Sequence, residues 1–279
     1  MREPAYWLYQ KLTRRYRTEL LSQLRSERKM PIAILFYHRV ADSFPNGWTL
    51  SCRDFCRHLD WLQANYEIVS LAEAQARIRS ETCDQPTAAI TFDDGYADNA
   101  EFAIPELSRR GLTATYFVAT EFIRTDSPFP HDKTAGVPLK PNTIDELRSF
   151  VEQGIEIGAH TRNHVDVGQV HGAQLREEIG GSVRELQQWL NVPIRYFAAP
   201  FGLPENLSQA AVDICHELGL DGFCSAYGAF NWPNHCGFHL RRIHADPGLE
   251  RLKNWLTLDA RKLDDQTQLP FKEPAYSQN

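Results

Sequence analysis

The chain reads ITFDDGYADN from Ile90 to Asn99, so a short apolar run ends in two adjacent aspartates and a glycine. The carboxylates of Asp93 and Asp94 each raise the free energy needed to ionise the other. A pair of this kind is either a solvated turn or the partner of a cation. Asp-Asp-Gly by itself is usually a turn or a helix start, so the rest of the chain has to decide between the two.

Short apolar runs of this type recur from Pro31 onward and alternate with segments that carry helix start and stop signals. Ser70 with Glu73 and Thr143 with Glu146 have the spacing of a capping box. The predicted strands are IAILFYH, TAAITF, TATYFVAT, IEIGAH, RYFAAP, DGFCSA and LRRIHA. This alternation predicts an α/β fold in which about seven strands form a parallel sheet or barrel.

The 279 residues are predicted to form one large domain, residues 31–263, between a basic amphipathic helix in residues 1–30 and a polar tail in residues 264–279. Residues 4–29 combine an apolar face with several arginines. Such a helix either packs on the outside of the domain or lies on an anionic membrane surface. The segment from Thr125 to Asn142 is rich in proline and glycine, which predicts a long loop over a site.

Composition excludes several classes of protein. A formal charge of −6, with no clustered lysines and arginines in the body of the chain, argues against a nucleic-acid partner. No apolar run is long enough to cross a bilayer, and the first 30 residues lack the features of a secretory signal. These absences predict a cytoplasmic protein, with peripheral attachment to the inner membrane face as the alternative. The six cysteines are scattered, which is typical of reduced thiols.

Polar residues follow several of the predicted strands, where the carboxyl ends of parallel strands meet. His160 and His164 are four residues apart, so one helical turn after the strand would put both imidazoles on the same side. Two histidines and one carboxylate are a common ligand set for a catalytic divalent metal, and Asp94 is the natural third ligand. Asp93 would then stay unligated and accept the proton of a bound water.

Two of these motifs resemble those of the polysaccharide deacetylases with a NodB homology domain, carbohydrate esterase family 4. TFDDG, Thr91 to Gly95, resembles the first motif of that family, and HTRNH, His160 to His164, resembles the second. FAAPFG, Phe197 to Gly202, is similar to the third. FYHRV, GFCSA and LRRIHA are similar to a branch of the family that opens with a Tyr-His strand. The resemblance runs from about Pro31 to about Leu258.

This resemblance implies a distorted, incomplete (β/α)7 barrel of the NodB type and metal-dependent removal of an N-acetyl group from a hexosamine. It implies that Asp93 is the general base, that Asp94, His160 and His164 bind the metal, and that the metal is zinc. The same roles follow from the residue types and their spacing. The family also implies that a backbone N–H near Phe201 binds the oxyanion.

Several further residues have two interpretations. His244 ends the last strand and is the predicted catalytic acid, with His131 or His239 as alternatives. Family members carry an arginine where this chain has Ala198, and the substitute for orienting Asp93 is Arg241, alternatively Arg242.

Three other residues are placed near the substrate or beneath the metal. Tyr37 is assigned to the substrate region or to packing, and His38 to a hydrogen bond behind the metal. Trp232 either lines the pocket for the acetyl methyl group or is buried for its area.

The predicted function is metal-dependent N-deacetylation of an N-acetylhexosamine unit in a polysaccharide or a glycan precursor. A metal-dependent amidase acting on a non-sugar C–N bond is one alternative, and a non-catalytic glycan-binding assembly protein is another. An open groove lined by aromatic residues would favour a glycan, whereas a closed pocket under the Thr125 to Asn142 loop would favour a small molecule.

Overall fold

The computed structural model describes residues 3–137, 139–245, 248–258 and 272. The predicted tail, residues 264–279, therefore lies outside the described residues apart from Lys272. The strands are β1 Ile32–Tyr37, β2 Arg39–Val40, β3 Thr49–Leu50, β4 Glu67–Val69, β5 Thr87–Phe92, β6 Thr115–Val118, β7 Glu156–Ala159, β8 Tyr196–Ala198, β9 Gly222–Cys224, β10 His239–Leu240 and β11 Ile243–His244.

Nine of these strands form one sheet in which every pair is parallel. The strand order is β10-β9-β8-β7-β6-β5-β1-β11, and β4 pairs with the first half of β5. All six residues of β1 and all six of β5 are buried. The strands of a parallel sheet that is covered on both faces are buried and largely apolar. β1 and β5 could therefore be recognised in the sequence as short apolar runs.

The segment from His239 to His244 bridges the two ends of the curled sheet. β10 pairs with β9 at one end, and β11 pairs with β1 at the other end, so the predicted strand LRRIHA is in fact two short strands. Only Arg241 and Arg242 lie between them. The sheet therefore forms the distorted, incomplete barrel that the sequence predicted. Arg241 and Arg242 lie in the gap between β10 and β11, which we call the seam of the barrel.

Helices cover the outside of the sheet. They are α1 Glu3–Leu12, α2 Arg14–Ser26, α3 Cys52–Asn65, α4 Leu71–Arg79, α5 Asp98–Glu101, α6 Ala103–Arg109, α7 Thr120–Thr125, α8 Pro130–Thr134, α9 Ile144–Glu152, α10 Gly172–Leu190, α11 Gln209–Glu217 and α12 Leu249–Trp255. The predicted capping box of Thr143 and Glu146 is present at the start of α9. Ser70 caps α4 by accepting the backbone N–H of Glu73.

The single N-terminal helix predicted over residues 4–29 is two helices, α1 and α2, which break at Thr13. The Thr13 hydroxyl donates a hydrogen bond to the carbonyl oxygen of Tyr9, 2.7 Å away. Threonine has a low helix propensity, in keeping with a break there. No helix within the described ranges is both long enough and apolar enough to span a bilayer.

The segment from Thr125 to Asn142 folds over the carboxyl ends of the strands, as its composition predicted. It contains the short helix α8, and its Phe129 is buried against Tyr96 and Phe122. A bridge between Tyr96 and Pro141 ties it to the loop that follows Asp93 and Asp94. The predicted loop is therefore packed beside the predicted site.

Candidate metal centre

Asp93 and Asp94 leave the end of β5 in different directions. The backbone N–H of Asp93 donates to the carbonyl oxygen of Tyr37 at 2.9 Å, which continues the pairing of β5 with β1. Asp94 and Gly95 then have φ values of 77° and 99°. These left-handed conformations suit aspartate and glycine better than most residues. A methyl group added at Gly95 would lie 3.1 Å from Val118, so this turn is also tightly packed.

The side chain of Asp94 lies against two imidazoles. Its Oδ1 is 3.2 Å from Nε2 of His164 and 3.5 Å from Nε2 of His160. One ligand atom from each of the three residues lies within 4.8 Å of the others. Asp94 Oδ1 is buried and has no hydrogen-bond partner among the described residues. A buried anionic oxygen without a partner is costly, and a cation shared with the two nitrogens removes that cost, so the three residues fit a divalent metal.

The tautomer of His160 is fixed by its other nitrogen. His160 Nδ1 lies 2.8 Å from the carbonyl oxygen of Ala198. Because a carbonyl oxygen can only accept, Nδ1 carries the proton and donates it. Nε2 therefore keeps its lone pair on the side of Asp94, the arrangement found for most metal-ligating histidines.

The segment from His160 to His164 is a turn rather than the predicted helical turn. Thr161 and His164 have φ values of 61° and 53°, which no α-helix contains. Glu178 of α10 is buried and accepts the backbone N–H groups of Arg162 and Asn163 at 3.1 and 2.9 Å. These bonds hold the turn in a conformation unfavourable for a β-branched residue, and they bring both imidazoles to Asp94.

The side chain that holds Asp93 is Arg242. Its two terminal nitrogens lie 2.6 and 2.8 Å from Oδ1 and Oδ2 of Asp93, and it also donates to the carbonyl oxygen of Ser225 at 2.9 Å. The guanidinium is fully buried between the rings of Phe36 and Phe117. Burial raises the pKa of Asp93, but the charge of Arg242 outweighs it, so that pKa lies below its ordinary value.

Arg241, the residue predicted for this role, is placed elsewhere. Its backbone N–H donates to Oδ1 of Asn231 at 2.9 Å, and its carbonyl oxygen accepts from Nδ2 of Asn231 at 2.8 Å. Its side chain lines a cavity of about 20 Å³ together with Trp232. Successive residues at the seam face opposite sides, so only Arg242 points into the barrel.

His244 and His38 lie next to each other at the ends of β11 and β1. The ring of His244 stacks on Phe36 at 4.8 Å, and its edge faces His38 at 5.7 Å. Burial lowers the pKa of His38, which therefore stays neutral. Asn99 fixes this corner, because its amide donates to the carbonyl oxygen of His38 at 2.7 Å.

The two alternative acids both have hydrogen-bond partners, and His239 is unsuited to proton transfer. His239 is bonded to the hydroxyl of Ser225 at 2.8 Å, and burial together with Arg241 lowers its pKa to about 3. A histidine with that pKa is a neutral imidazole at neutral pH and cannot act as a general acid. His131 contacts the hydroxyl of Tyr96 at 3.0 Å in the covering loop.

Tyr37 and Trp232 both pack with the hydrophobic core, and Tyr37 also bounds the small cavity beside His38 and His244. Tyr37 packs against Phe55 of α3 on the outer face of the sheet, because neighbours along a strand point to opposite faces and both Phe36 and His38 point inward. Trp232 follows Asn231, whose backbone pairs with Ile32 at the amino end of β1. These contacts agree with packing, which was one of the two interpretations of each residue, and a contact of either residue with substrate stays a prediction.

Two exposed aromatic residues flank the opening of the site. Phe201 has a φ of 63°, is 58% exposed, and its ring lies 5.2 Å from His164. Trp48 is 43% exposed, and its ring lies 6.4 Å from His38 and 5.5 Å from His131. The sequence had indicated Phe201 but not Trp48, which lies in no strand end or motif.

A comparison with known proteins shows to which family this chain belongs. A family model described as polysaccharide deacetylase matches residues 80–223, just over half of the chain, including Asp93, Asp94, His160 and His164. The chain belongs to the polysaccharide deacetylase family. Members of this family are hydrolases that act on carbon–nitrogen bonds, and carbohydrate esterase family 4 enzymes are generally metal-dependent. The family and the enzyme class predicted from the sequence are thus confirmed.

The relatives of this deacetylase-family chain are distant. YxkH of Bacillus subtilis (strain 168), a protein named as a member of the same family, is 26% identical over 204 residues, which are 71% of this chain and 66% of that protein. The solved structure of PplD, a deacetylase of Streptococcus pyogenes in complex with acetate, has a TM-score of 0.70 at 19% identity and covers 82% of this chain and 99% of that one. IcaB from Ammonifex degensii has a TM-score of 0.68 at 19% identity, with coverages of 82% and 98%. Both structures confirm the predicted fold.

Replacing Glu178 by alanine in this deacetylase-family chain is expected to weaken metal binding. The turn that carries His164 would lose three hydrogen bonds, two to its backbone and one, of 2.7 Å, to the Asn163 side chain. Loss of a residue that orients ligands typically lowers metal affinity by about 10–100-fold. Titration of the folded variant with zinc against a chelator measures this, and an unchanged affinity would show that the turn holds its shape without Glu178. Replacement of Glu152, an exposed residue at the end of α9, by alanine is the matched control.

Proposed function

We propose that this chain removes the N-acetyl group from an N-acetylhexosamine unit of a polysaccharide or glycan precursor, with a zinc ion held by Asp94, His160 and His164. The observation that carries the proposal is the division of labour between the two aspartates. Asp94 lies in a cluster of potential ligands, whereas Asp93 is kept out of that cluster by two bonds to Arg242. Binding a metal alone would need no second, separately held carboxylate.

A divalent metal in this cluster would polarise the acetamide carbonyl group and make a nearby water more acidic. Asp93 is ionised, and each of its oxygens keeps a lone pair beyond those used by Arg242, so it can accept the proton of the attacking water. The backbone N–H of Phe201 donates no hydrogen bond within the described part of the chain, which leaves it available for the developing oxyanion. His244 then delivers a proton to the departing amine.

Exposed aromatic residues beside the site support a glycan over a small amide. Phe201 and Trp48 offer exposed aromatic faces on two sides of the opening. Aromatic faces of this kind pack against the apolar faces of sugars, so a chain of sugars can lie across the opening.

An assay of acetate release tests the proposal. The protein is freed of metal with a chelator, reloaded with zinc, and incubated with N-acetylated chito-oligosaccharides and, in parallel, with small acetamides. We expect zinc-dependent release from the oligosaccharides, little from the small amides, and none with Asp93→Asn, which keeps the shape of the side chain but cannot accept the proton. Release from the small amides alone would favour the amidase alternative. Glycan binding without release at any metal would favour the assembly protein.

A further inference from the structure

An exposed apolar surface lies on the two N-terminal helices, far from the metal centre. Five of the ten strongly exposed large apolar side chains in the described ranges belong to α1 and α2. Trp7, Leu8 and Leu12 are 51%, 52% and 77% exposed, and Tyr16 follows at the start of α2. We call Trp7, Leu8, Lys11, Leu12 and Tyr16 the N-terminal patch.

The patch has the geometry of one helix face. Trp7 and Lys11 are four residues apart, as are Leu8 and Leu12, so the four side chains share a side of α1. The Lys11 ammonium lies 3.9 Å from the centre of the Trp7 ring. The opposite side of α1 faces the domain, since α1 packs on α12. The exposed face is therefore in excess of what the fold itself needs.

Charge separates this end of the molecule from the rest. Residues 1–30 contain eight lysines and arginines and three glutamates, a net charge of +5, which leaves −11 for residues 31–279. Among the basic residues beside the patch, Arg15 has a side chain that is 94% exposed. An anionic surface attracts this end and repels the remainder, which sets one orientation of approach.

A cavity beneath α2 shows which end of the barrel carries the N-terminal patch. It has a volume of about 260 Å³, and Arg14, Arg17 and Leu21 of α2 face Met30, Pro31 and Pro86 across it. Met30 and Pro31 precede β1, and Pro86 precedes β5. The helices thus lie at the amino ends of the strands, whereas Asp94 and its neighbours lie at the carboxyl ends. A surface that binds α1 and α2 leaves the metal centre open on the opposite side.

We propose that the N-terminal patch docks on an anionic lipid bilayer, with Trp7, Leu8, Leu12 and Tyr16 inserted among the headgroups. Tryptophan and tyrosine are the side chains that accumulate at membrane interfaces, and neighbouring lysines and arginines add attraction to anionic lipid. A second copy of the chain is a poorer occupant. In a twofold dimer the patch would meet itself, and Lys11 and the neighbouring Arg15 would face their own like charges.

Flotation of the full chain with vesicles tests this docking. We expect binding to vesicles of phosphatidylcholine with phosphatidylglycerol, little binding to phosphatidylcholine alone, and release at high salt. The triple substitution Trp7→Ser, Leu8→Ser and Leu12→Ser should weaken binding to the anionic vesicles at least about tenfold. Lys11→Glu with Arg15→Glu should remove the preference for anionic vesicles.

Two control variants place related changes on other surfaces. Phe44→Ser removes an exposed aromatic from a different surface, and Arg176→Glu with Arg184→Glu makes the same change in net charge on α10. Both should float as the unmodified chain does. Flotation needs no catalysis, so its result is independent of the proposed function, and acetate release from soluble oligosaccharides should be equal in all five proteins.

The docking is refuted if the unmodified chain does not bind anionic vesicles or binds both types of vesicle equally. It is also refuted if light scattering shows a dimer that the triple substitution dissociates, because the patch would then be an interface between copies.

Discussion

Replacing His160 by alanine, or Asp94 by asparagine, is expected to abolish zinc binding and to reduce acetate release at least about a thousandfold. The three ligand atoms lie within 4.8 Å of one another, so each residue would supply one of the three protein ligands of the metal. Loss of the Lewis acid removes several kcal/mol of transition-state stabilisation, and about 4 kcal/mol corresponds to that factor. Asparagine is chosen at Asp94 because it tolerates the left-handed backbone there, with φ of 77°, as aspartate does.

Zinc stoichiometry, acetate release and thermal unfolding are measured together for these variants. His171→Ala is the matched control, since His171 is an exposed histidine at the start of α10, away from the cluster. We expect it to keep zinc and activity. Full acetate release by folded His160→Ala protein would overturn the metal assignment and, with it, the proposed mechanism.

The strands and the candidate metal ligands could be predicted because both depend on local sequence. A parallel strand buried on both faces needs a largely apolar run; all six residues of β5 before Asp93 are buried, as are the last three residues of β7 before His160. Topology alone then brings residues after neighbouring strands to one edge of the sheet. The candidate site could therefore be located before any contact was known.

Because these strands are buried on both faces, the sequence does not show to which face of the sheet each side chain points. In β1, Leu35, Phe36 and Tyr37 are all buried, so apolarity does not show that Phe36 faces the candidate metal centre and Tyr37 faces α3. The sequence therefore leaves both interpretations of Tyr37 open, near the substrate or in the packing. A strand with one solvent face would have revealed the side through alternation.

Contacts made by distant segments were likewise out of reach. Glu178 lies 14 residues after His164 on α10 and shapes the turn between the two histidines, which spacing alone had suggested to be helical. The choice between Arg241 and Arg242 depends on the break between β10 and β11, and this break exists only because the sheet curls until its two ends meet. The N-terminal helices were ambiguous because a packed helix and an interfacial helix share one amphipathic pattern.

Replacing Arg242 by glutamine is expected to cost about 3–5 kcal/mol of unfolding free energy, because the variant buries the charge of Asp93 without a partner. Asp93 is nearly inaccessible, and two of its hydrogen bonds come from Arg242. Acetate release should also fall, since the carboxylate is free to rotate away from the substrate or to take up a proton. Denaturant unfolding and kcat measured on the same sample separate the two effects.

Arg242→Lys distinguishes charge from orientation. Lysine keeps the positive charge but cannot form the two parallel bonds that the guanidinium makes with Asp93. We expect it to restore part of the stability that glutamine loses. The value of kcat should remain low and KM nearly unchanged, because lysine balances the negative charge of Asp93 but does not align its carboxylate with the substrate. Normal kcat in Arg242→Lys would show that Arg242 acts only as a buried counter-ion.

The double variant Arg242→Gln with Asp93→Asn completes the test. It removes both charges, so the unpaired anion responsible for the instability is absent. We expect its stability loss to be at least about 2 kcal/mol smaller than the sum of the two single losses, within the coupling found for contacting residues. Acetate release should nevertheless stay abolished, because the base is gone. Additive stability losses would mean that the two side chains are close without depending on each other. Arg242 would then no longer explain how this chain works without an arginine at Ala198.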